Sequence, residues 1–315
     1  MRYFFLIVVA CGLLAAVGCG REPATGVRVD AAFRDLIPSD ATVLAGVDLD
    51  RLKQTPLYEK YGSQLQQARL DDFRHRFGID PRRDVASVLL AANAKQRLAL
   101  ARGRFTLQQV QPKLVSMTTQ RTVYKDHVLF GDPRNSLTFV KDGLIAAGPA
   151  AALRDLLDRA VNGRGGVSQA LSRRLSALPQ YDSVWVVSEG GLPLAGAPVR
   201  QDVQSALSNI DGFVTGVTAG TAVDSGVHFK ADFDCISDEG AQRVHDALRG
   251  GIGLARLTTN DNALDMLRLY DSIKVNKDGQ HVHVNADLAG DLVDKVWAHL
   301  EQVMEHVNRA LDKGQ

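Results

Sequence analysis

The sequence predicts an α+β fold of two tandem similar halves, each an antiparallel sheet of hairpins covered by helices on one face. Three observations predict it. "LTFVKDGLIAAGPAAALRDLLDRAV", Leu137 to Val161, lines up without a gap with "IKVNKDGQHVHVNADLAGDLVDKVW", Ile273 to Trp297, at a constant spacing of 136. Upstream, "LIPSDATVLAGVDLD" from Leu36 resembles "ALPQYDSVWVVSEGG" from Ala177 at a spacing of 141, with Pro38 against Pro179 and Val43 against Val184. Between these anchors, short β-rich runs alternate with helical patterns, as in antiparallel sheets covered by helices.

The elements follow in order. Residues 31–165 form the first half and 166–315 the second. The strand at Val43 follows Pro38, and "LDRLKQTPLYEKYGSQLQQARLDDFRHRFGID" reads as helical. "VASVLLAANAKQRLALARG" reads as a hairpin, followed by a helix from Phe105 or Thr106. The first Lys-Asp-Gly turn, Lys141 to Gly143, joins the next two strands, because Asp-Gly supplies the positive φ such turns need. A helix through Asp155-Leu156-Leu157 closes the half, and "GRGG" at 163–166 reads as its terminating turn.

In the second half, the strand at Val184 runs into the Pro/Gly-rich "EGGLPLAGAP", which reads as a surface connection or a lid. "GFVTGVTAGTAVDSGVHFKADFD" is a longer hairpin, with Ser237 capping the next helix and "GGIG" at 250–253 expected to end it. The second Lys-Asp-Gly hairpin precedes a helix with Val293, Val296, Trp297, Leu300, Met304, Val307 and Leu311 at three-four spacing, the pattern of a helix packed on a sheet.

The N-terminus addresses location. Arg2 precedes an apolar run from Phe4 to Val17, 14 residues against the roughly 20 that span a bilayer. That is the length of an export signal's core. Ala16-Val17-Gly18-Cys19 resembles the lipobox of bacterial lipoproteins, with Ala16 where the family usually carries Leu. The resemblance implies a signal peptide over 1–18, a lipidated Cys19 carrying diacylglycerol and an acylated amine such as palmitate, and a tether over 19–30. It further implies a cell-envelope, periplasm-facing protein held to the membrane at Cys19. Gly20, where an Asp would favour retention at the inner membrane, favours the outer one. The mature body is similar in build to bacterial lipoproteins of duplicated α+β halves, and that likeness implies no activity. Cys11 lies in the signal, so Cys235 is the one thiol left to the mature body. It shares the apolar side of its strand with Phe229, Ala231 and Phe233, as a buried structural cysteine does.

Charge is balanced, 37 basic against 36 acidic residues, with no basic block interleaved with aromatics, so nucleic-acid binding has no support. Phosphate-loop, HExxH and GxSxG motifs are missing, and no cofactor is expected. In "QHVHVNADL", His281 and His283 share one strand face with Asn285 and Asp287; "VHFKADFD" exposes His228, Lys230, Asp232 and Asp234 likewise. Such a face would offer His281, His283 and His228 to a metal, or stand as a solvated sheet face. The repeat puts Ile145 and Ala147 opposite His281 and His283, so the histidines belong to one half alone.

The leading expectation is a non-catalytic envelope lipoprotein: a membrane-tethered scaffold or binding module, working on a protein partner through an exposed sheet face or the groove between halves. One alternative is a metal-dependent hydrolase on the His281/His283 face, with Asp232 or Asp287 as base. The other is a carrier of lipid or a small hydrophobe.

Overall fold

The computed structural model describes residues 26–62, 67–118, 120–192, 209–260 and 263–298. Cys19, the tether up to residue 25 and most of the "EGGLPLAGAP" connection lie outside them. No described helix is long and apolar enough to cross a membrane.

The strands form one continuous antiparallel sheet in the order β11-β12-β10-β9-β8-β1-β2-β3-β7-β6-β5-β4. They are β1 Val43–Asp48, β2 Val85–Ala92, β3 Arg97–Gly103, β4 Arg121–Tyr124, β5 His127–Gly131, β6 Ser136–Lys141, β7 Leu144–Gly148, β8 Val184–Glu189, β9 Val214–Val223, β10 Val227–Cys235, β11 Ile273–Asp278 and β12 His281–Leu288. Both expected Lys-Asp-Gly turns are present, β6–β7 with Gly143 at φ +74° and β11–β12 with Gly279 at φ +53°. The seam of the sheet is β1 against β8, in register from Val43↔Ser188 to Val47↔Val184. The β4–β5 hairpin was not foreseen; its "RTVYKDHVLFG" is short, and its first strand is largely exposed.

Helices α1 Leu49–Leu52, α2 Pro56–Tyr61, α3 Gln67–Phe77 and α4 Pro81–Asp84 connect β1 to β2. Helix α5, Leu107–Met117, follows β3 and starts at a reciprocal cap between Thr106 and Gln109. Helix α6, Ala150–Asn162, follows β7 and ends at Gly163, whose φ of +61° is the left-handed conformation glycine adopts without strain. Helix α7, Gln169–Ala177, leads to β8; α8, Asp238–Thr258, is capped by Ser237; α9, Leu264–Ser272, precedes β11; and 290–298 are helical. The expected break at 250–253 does not occur, since those glycines sit inside α8. Glycine weakens a helix by only about 1 kcal/mol, which the capped and packed first turns of α8 outweigh.

Each strand alternates between two faces, and the registers carry this across the sheet. On the front, Leu44, Leu89, Leu98, Leu100, Leu144, Ala146, Trp185 and Val187 meet α6, α7 and a 3-10 turn at Arg34–Leu36, through Leu153, Leu156, Leu157, Leu171 and Leu36. On the back, α3 and α5 pack over β3 and β5–β7 around Phe77, Val110, Leu114, Phe130, Phe139 and Ile145. At the other end of the back, α8 covers β9, β10 and β12 through Ala241 and Val244 against Val217, Ala219, Ala231 and Val282. Strands β3 and β5–β7 are thus covered on both faces, not on one as expected, and apolar runs such as "LIAAG" of β7 are the reason. Strands β10 and β12 have the expected single covered face.

Candidate functional site

Among the described residues, the back of the sheet has a gap between its two helical packs. In register across the seam, Val88, Val47, Val184, Thr221 and Phe229 form one row, and Leu90, Ala45, Val186 and Ala219 the next. These residues, with Gly46, Trp185 and Gly220, line a groove of about 250 Å³. Thr221 is its sole polar side chain. Leu90 is 51% exposed and Val184 37%, although both sit on central strands of a twelve-stranded sheet. An interior strand position is where a leucine is ordinarily covered, so this apolar surface is unusual.

The floor is recessed where its residues are small. Ala45 on β1 and Ala219 on β9 leave room, while the larger Val88 and Leu90 stand toward one helical pack and Phe229 toward the other. Behind the floor, Trp185 lies across Gly46 of the neighbouring strand: a Cβ at Gly46 would stand 2.2 Å from Cζ2 of the indole. The groove therefore rests on a closely packed seam.

The sequence-expected site lies elsewhere, on the front of β10 and β12. His281 Nδ1 is 2.8 Å from Asp234 Oδ1, His283 Nδ1 is 2.5 Å from Asp232 Oδ1, and His228 Nδ1 is 2.9 Å from Asp287 Oδ1. Each pair is directly cross-strand, so the register itself makes three separate His–Asp pairs. His281 and His283 stack with ring centroids 6.4 Å apart, and His228 lies four residues along the register from Asp232. Two imidazoles on one zinc ion bring their ligating nitrogens to about 3.3 Å. The expected three-histidine set is therefore not assembled, and among the described residues no group of three His, Cys, Asp or Glu is placed to hold a metal. The hydrogen bond to Asp287 holds the His228 imidazole above its ordinary pKa.

This front is open and polar, and one arginine borders it. Arg174 of α7 reaches over Gly216, placing Nε 2.5 Å from Glu189 and Nη1 2.6 Å from Asp234, which thereby joins Arg174 to His281. Nearby, Asp182 is buried over Gly220, and its Oδ2 has no hydrogen-bond partner among the described residues. Burial pushes its carboxyl above the usual range. Cys235 is buried as expected, and burial raises its thiol too.

Sequence reasoning named the groove between halves as a place of action but none of its residues. The signal was present: "TVLAGVD", "SVLLAA" and "SVWVVSE" are apolar on both alternating faces. Such strands ask for two covered faces.

No family model matches the chain, and no curated protein matches it. Among solved structures it is similar to TP0453. Crystal form III of that protein shares 9% identity over 84% of this chain and 96% of the other, with a TM-score of 0.48. Crystal form I shares 9% over 87% and 98%, with a TM-score of 0.46.

Proposed function

We propose that the protein is a non-catalytic, membrane-tethered binding module of the cell envelope, anchored through Cys19, and that the groove across the β1–β8 seam is its binding surface. The observation that carries this reading is the groove itself: a trough with one polar lining side chain, set on central strands. Its chemistry suits an apolar guest, whose burial contributes about 25 cal/mol per Å². The same groove supports the carrier reading, in which the guest is a small hydrophobe. The hydrolase reading has no such support, since the histidines on the front do not converge.

The strand order supports a build from two like halves. Outward from the seam it reads β1-β2-β3-β7-β6 on one side and β8-β9-β10-β12-β11 on the other. The two Lys-Asp-Gly hairpins occupy matching places in that series. On this reading the groove is the junction between the halves.

The test uses the uncharged fluorophore N-phenyl-1-naphthylamine as probe. Saturable binding is expected, and Leu90→Asp and Val184→Asp should each weaken it at least tenfold. Both side chains are exposed enough for the fold to tolerate the change. Equal binding by both variants would refute the groove as the site. In cells, Cys19→Ser should move the protein from the membrane to the soluble fraction.

A further inference from the structure

We infer that the outer edge of β11 is a strand-docking groove, which takes an extended acidic segment of a partner protein as a thirteenth strand of the sheet. This edge lies four strands from β8 and is independent of the groove over the seam.

Strand β11 ends the sheet, so one side of "IKVNKD" pairs with β12 and the other has no described strand beside it. Cys235 N donates to Gln280 O, which turns Gln280, Val282 and Val284 toward β10. His281, His283 and Asn285 therefore bond to Asp278, Asn276 and Lys274, their partners in the β11–β12 register. The same alternation aims the N–H and C=O of Val275 and Lys277 away from the sheet. Neither backbone group of Val275 has a partner among the described residues. An edge with such groups unpaired is a template for a further strand. It is also the longer of the two edges, six residues against four in β4.

A cavity of about 420 Å³ runs along this edge, between residues 273–276 of β11, the second half of α8 and the end of α9. Arg249, Ile252, Gly253 and Arg256 recur at three-four spacing, so one face of α8 forms its wall. Ile252 meets Ile273 and Val275 across the cavity and makes its apolar part. At Gly253 the wall has no side chain, although a Cβ there would meet nothing within 4 Å. Gly250 and Gly251 stand in equally open space. Each of these glycines costs the helix about 1 kcal/mol against alanine, and no packing among the described residues calls for them. Where the wall faces the cavity, bare backbone lets a guest main chain approach closely.

Charge selects the guest. Arg249, Arg256 and Lys274 line the cavity against one carboxylate, Asp271, which pairs with Arg256. Neither Arg249 nor Lys274 is in a salt bridge with a described residue. The two arginines stand seven residues apart, about 10 Å along α8. Four residues of guest strand measure about 13 Å, so both guanidinium groups reach acidic side chains at the ends of such a stretch. Lys274 faces the front, where alternate side chains of the guest lie beside it. The guest therefore carries acids at both ends of its helix-side face and one on its front, with β-branched residues between them against Ile252 and Val275. Main-chain bonds supply the affinity of such a complex, and the flanking side chains its specificity. A second copy of β11 fits poorly, since "IKVNKD" has two lysines and its one acid at the end.

The experiment titrates the full chain against a fluorescein-labelled peptide, ETVEVTE, with KTVKVTK as control. Saturable polarisation is expected for the acidic peptide alone. Hydrogen exchange followed by NMR identifies the mode: the Val275 amide should exchange freely in the peptide-free protein and become protected by ETVEVTE. Val275→Pro removes that donor without breaking a β11–β12 bond, and an edge strand tolerates proline there. It should weaken acidic-peptide binding at least tenfold, a change of the size that one lost main-chain pairing and its blocked neighbours produce. Arg249→Glu, on exposed helix surface, leaves the edge intact; it should weaken ETVEVTE about tenfold and strengthen KTVKVTK. A Val275 amide already protected in the free protein would overturn the inference, and protection that falls on dilution would assign the edge to a second copy. Failure of ETVEVTE to bind, binding that leaves Val275 exchanging freely, or equal binding by both variants would overturn it too.

Discussion

Gly46→Ala is the sharpest single test of how the seam is built. Gly46 stands directly opposite Trp185 in the β1–β8 register, and its backbone is ordinary extended strand, so alanine brings no conformational strain. The cost is steric. The new Cβ would lie 2.2 Å from Cζ2, 2.3 Å from Cε2 and 2.7 Å from Nε1 of the indole. Carbon atoms pack at about 3.5–4.0 Å, so the ring must retreat by about 1.3 Å. It has little room to do so, because Trp185 is 7% exposed and shares its cluster with Leu44 and Val187, both fully buried. Overpacking of this kind costs roughly 1–3 kcal/mol, and the rigid ring puts this case near 2–3. For a chain of this size that is a fall in Tm of about 5–8 °C. Guanidinium unfolding followed by circular dichroism gives the stability, and tryptophan emission shows whether Trp185 has become wetter. A loss under about 0.5 kcal/mol with unchanged emission would refute the packing argument.

Two further outcomes concern buried and paired charge. Asp182→Asn should stabilise the protein at pH 7 by about 1 kcal/mol, since it removes a buried carboxylate with an unsatisfied oxygen. The folded-state pKa is raised, so the native state resists ionisation and the penalty grows as pH rises above 3.8. The gain should therefore vanish below pH 3.8, where both states hold the proton, and a gain constant with pH would contradict the assignment. His228, in turn, should titrate above 6.5 by NMR and return toward 6.5 in Asp287→Asn. Because its folded pKa is raised, this pair stabilises fully below pH 6.5 and loses its contribution as pH climbs through the folded value. At 43% side-chain exposure that is a few tenths of a kcal/mol.

What was legible in the sequence was local. The Lys-Asp-Gly turns, the helix start near Thr106, the cap at Ser237 and the alternation of β10 and β12 are each set by neighbours within a few residues. The side of Cys235 followed from the same alternation. Long-range pairing was not legible. His281 and His283 share a face whichever strands lie beside them, but only the β10–β12 register shows that each faces its own aspartate. Likewise "RTVYKDHVLFG" has too few buried positions to announce an edge hairpin, and the mid-helix glycines of α8 resemble a terminator because their helix is held by its first turns. The groove was half legible. Doubly apolar strands demanded two covers, and nothing local said that one would fall short.

That shortfall follows from the way the sheet is assembled. Outward from the seam the two sides run in the same order, and β1 and β8 are antiparallel, so on the proposed reading of two like halves the axis relating them would stand normal to the sheet. An axis of that direction keeps equivalent helices on the same face. Helix α5 follows the second hairpin strand of one series and α8 that of the other, and both pack on the back. Each returns over its own outer strands, α5 toward β5–β7 and α8 toward β10–β12, so both lean away from the seam. The front escapes this because the chain between the two series, through α6 and α7, has to cross the seam and covers it with Leu156, Leu171 and Leu175. On the back no described element makes that crossing. A groove over β1 and β8 is thus the geometric remainder of joining two such series at their first strands.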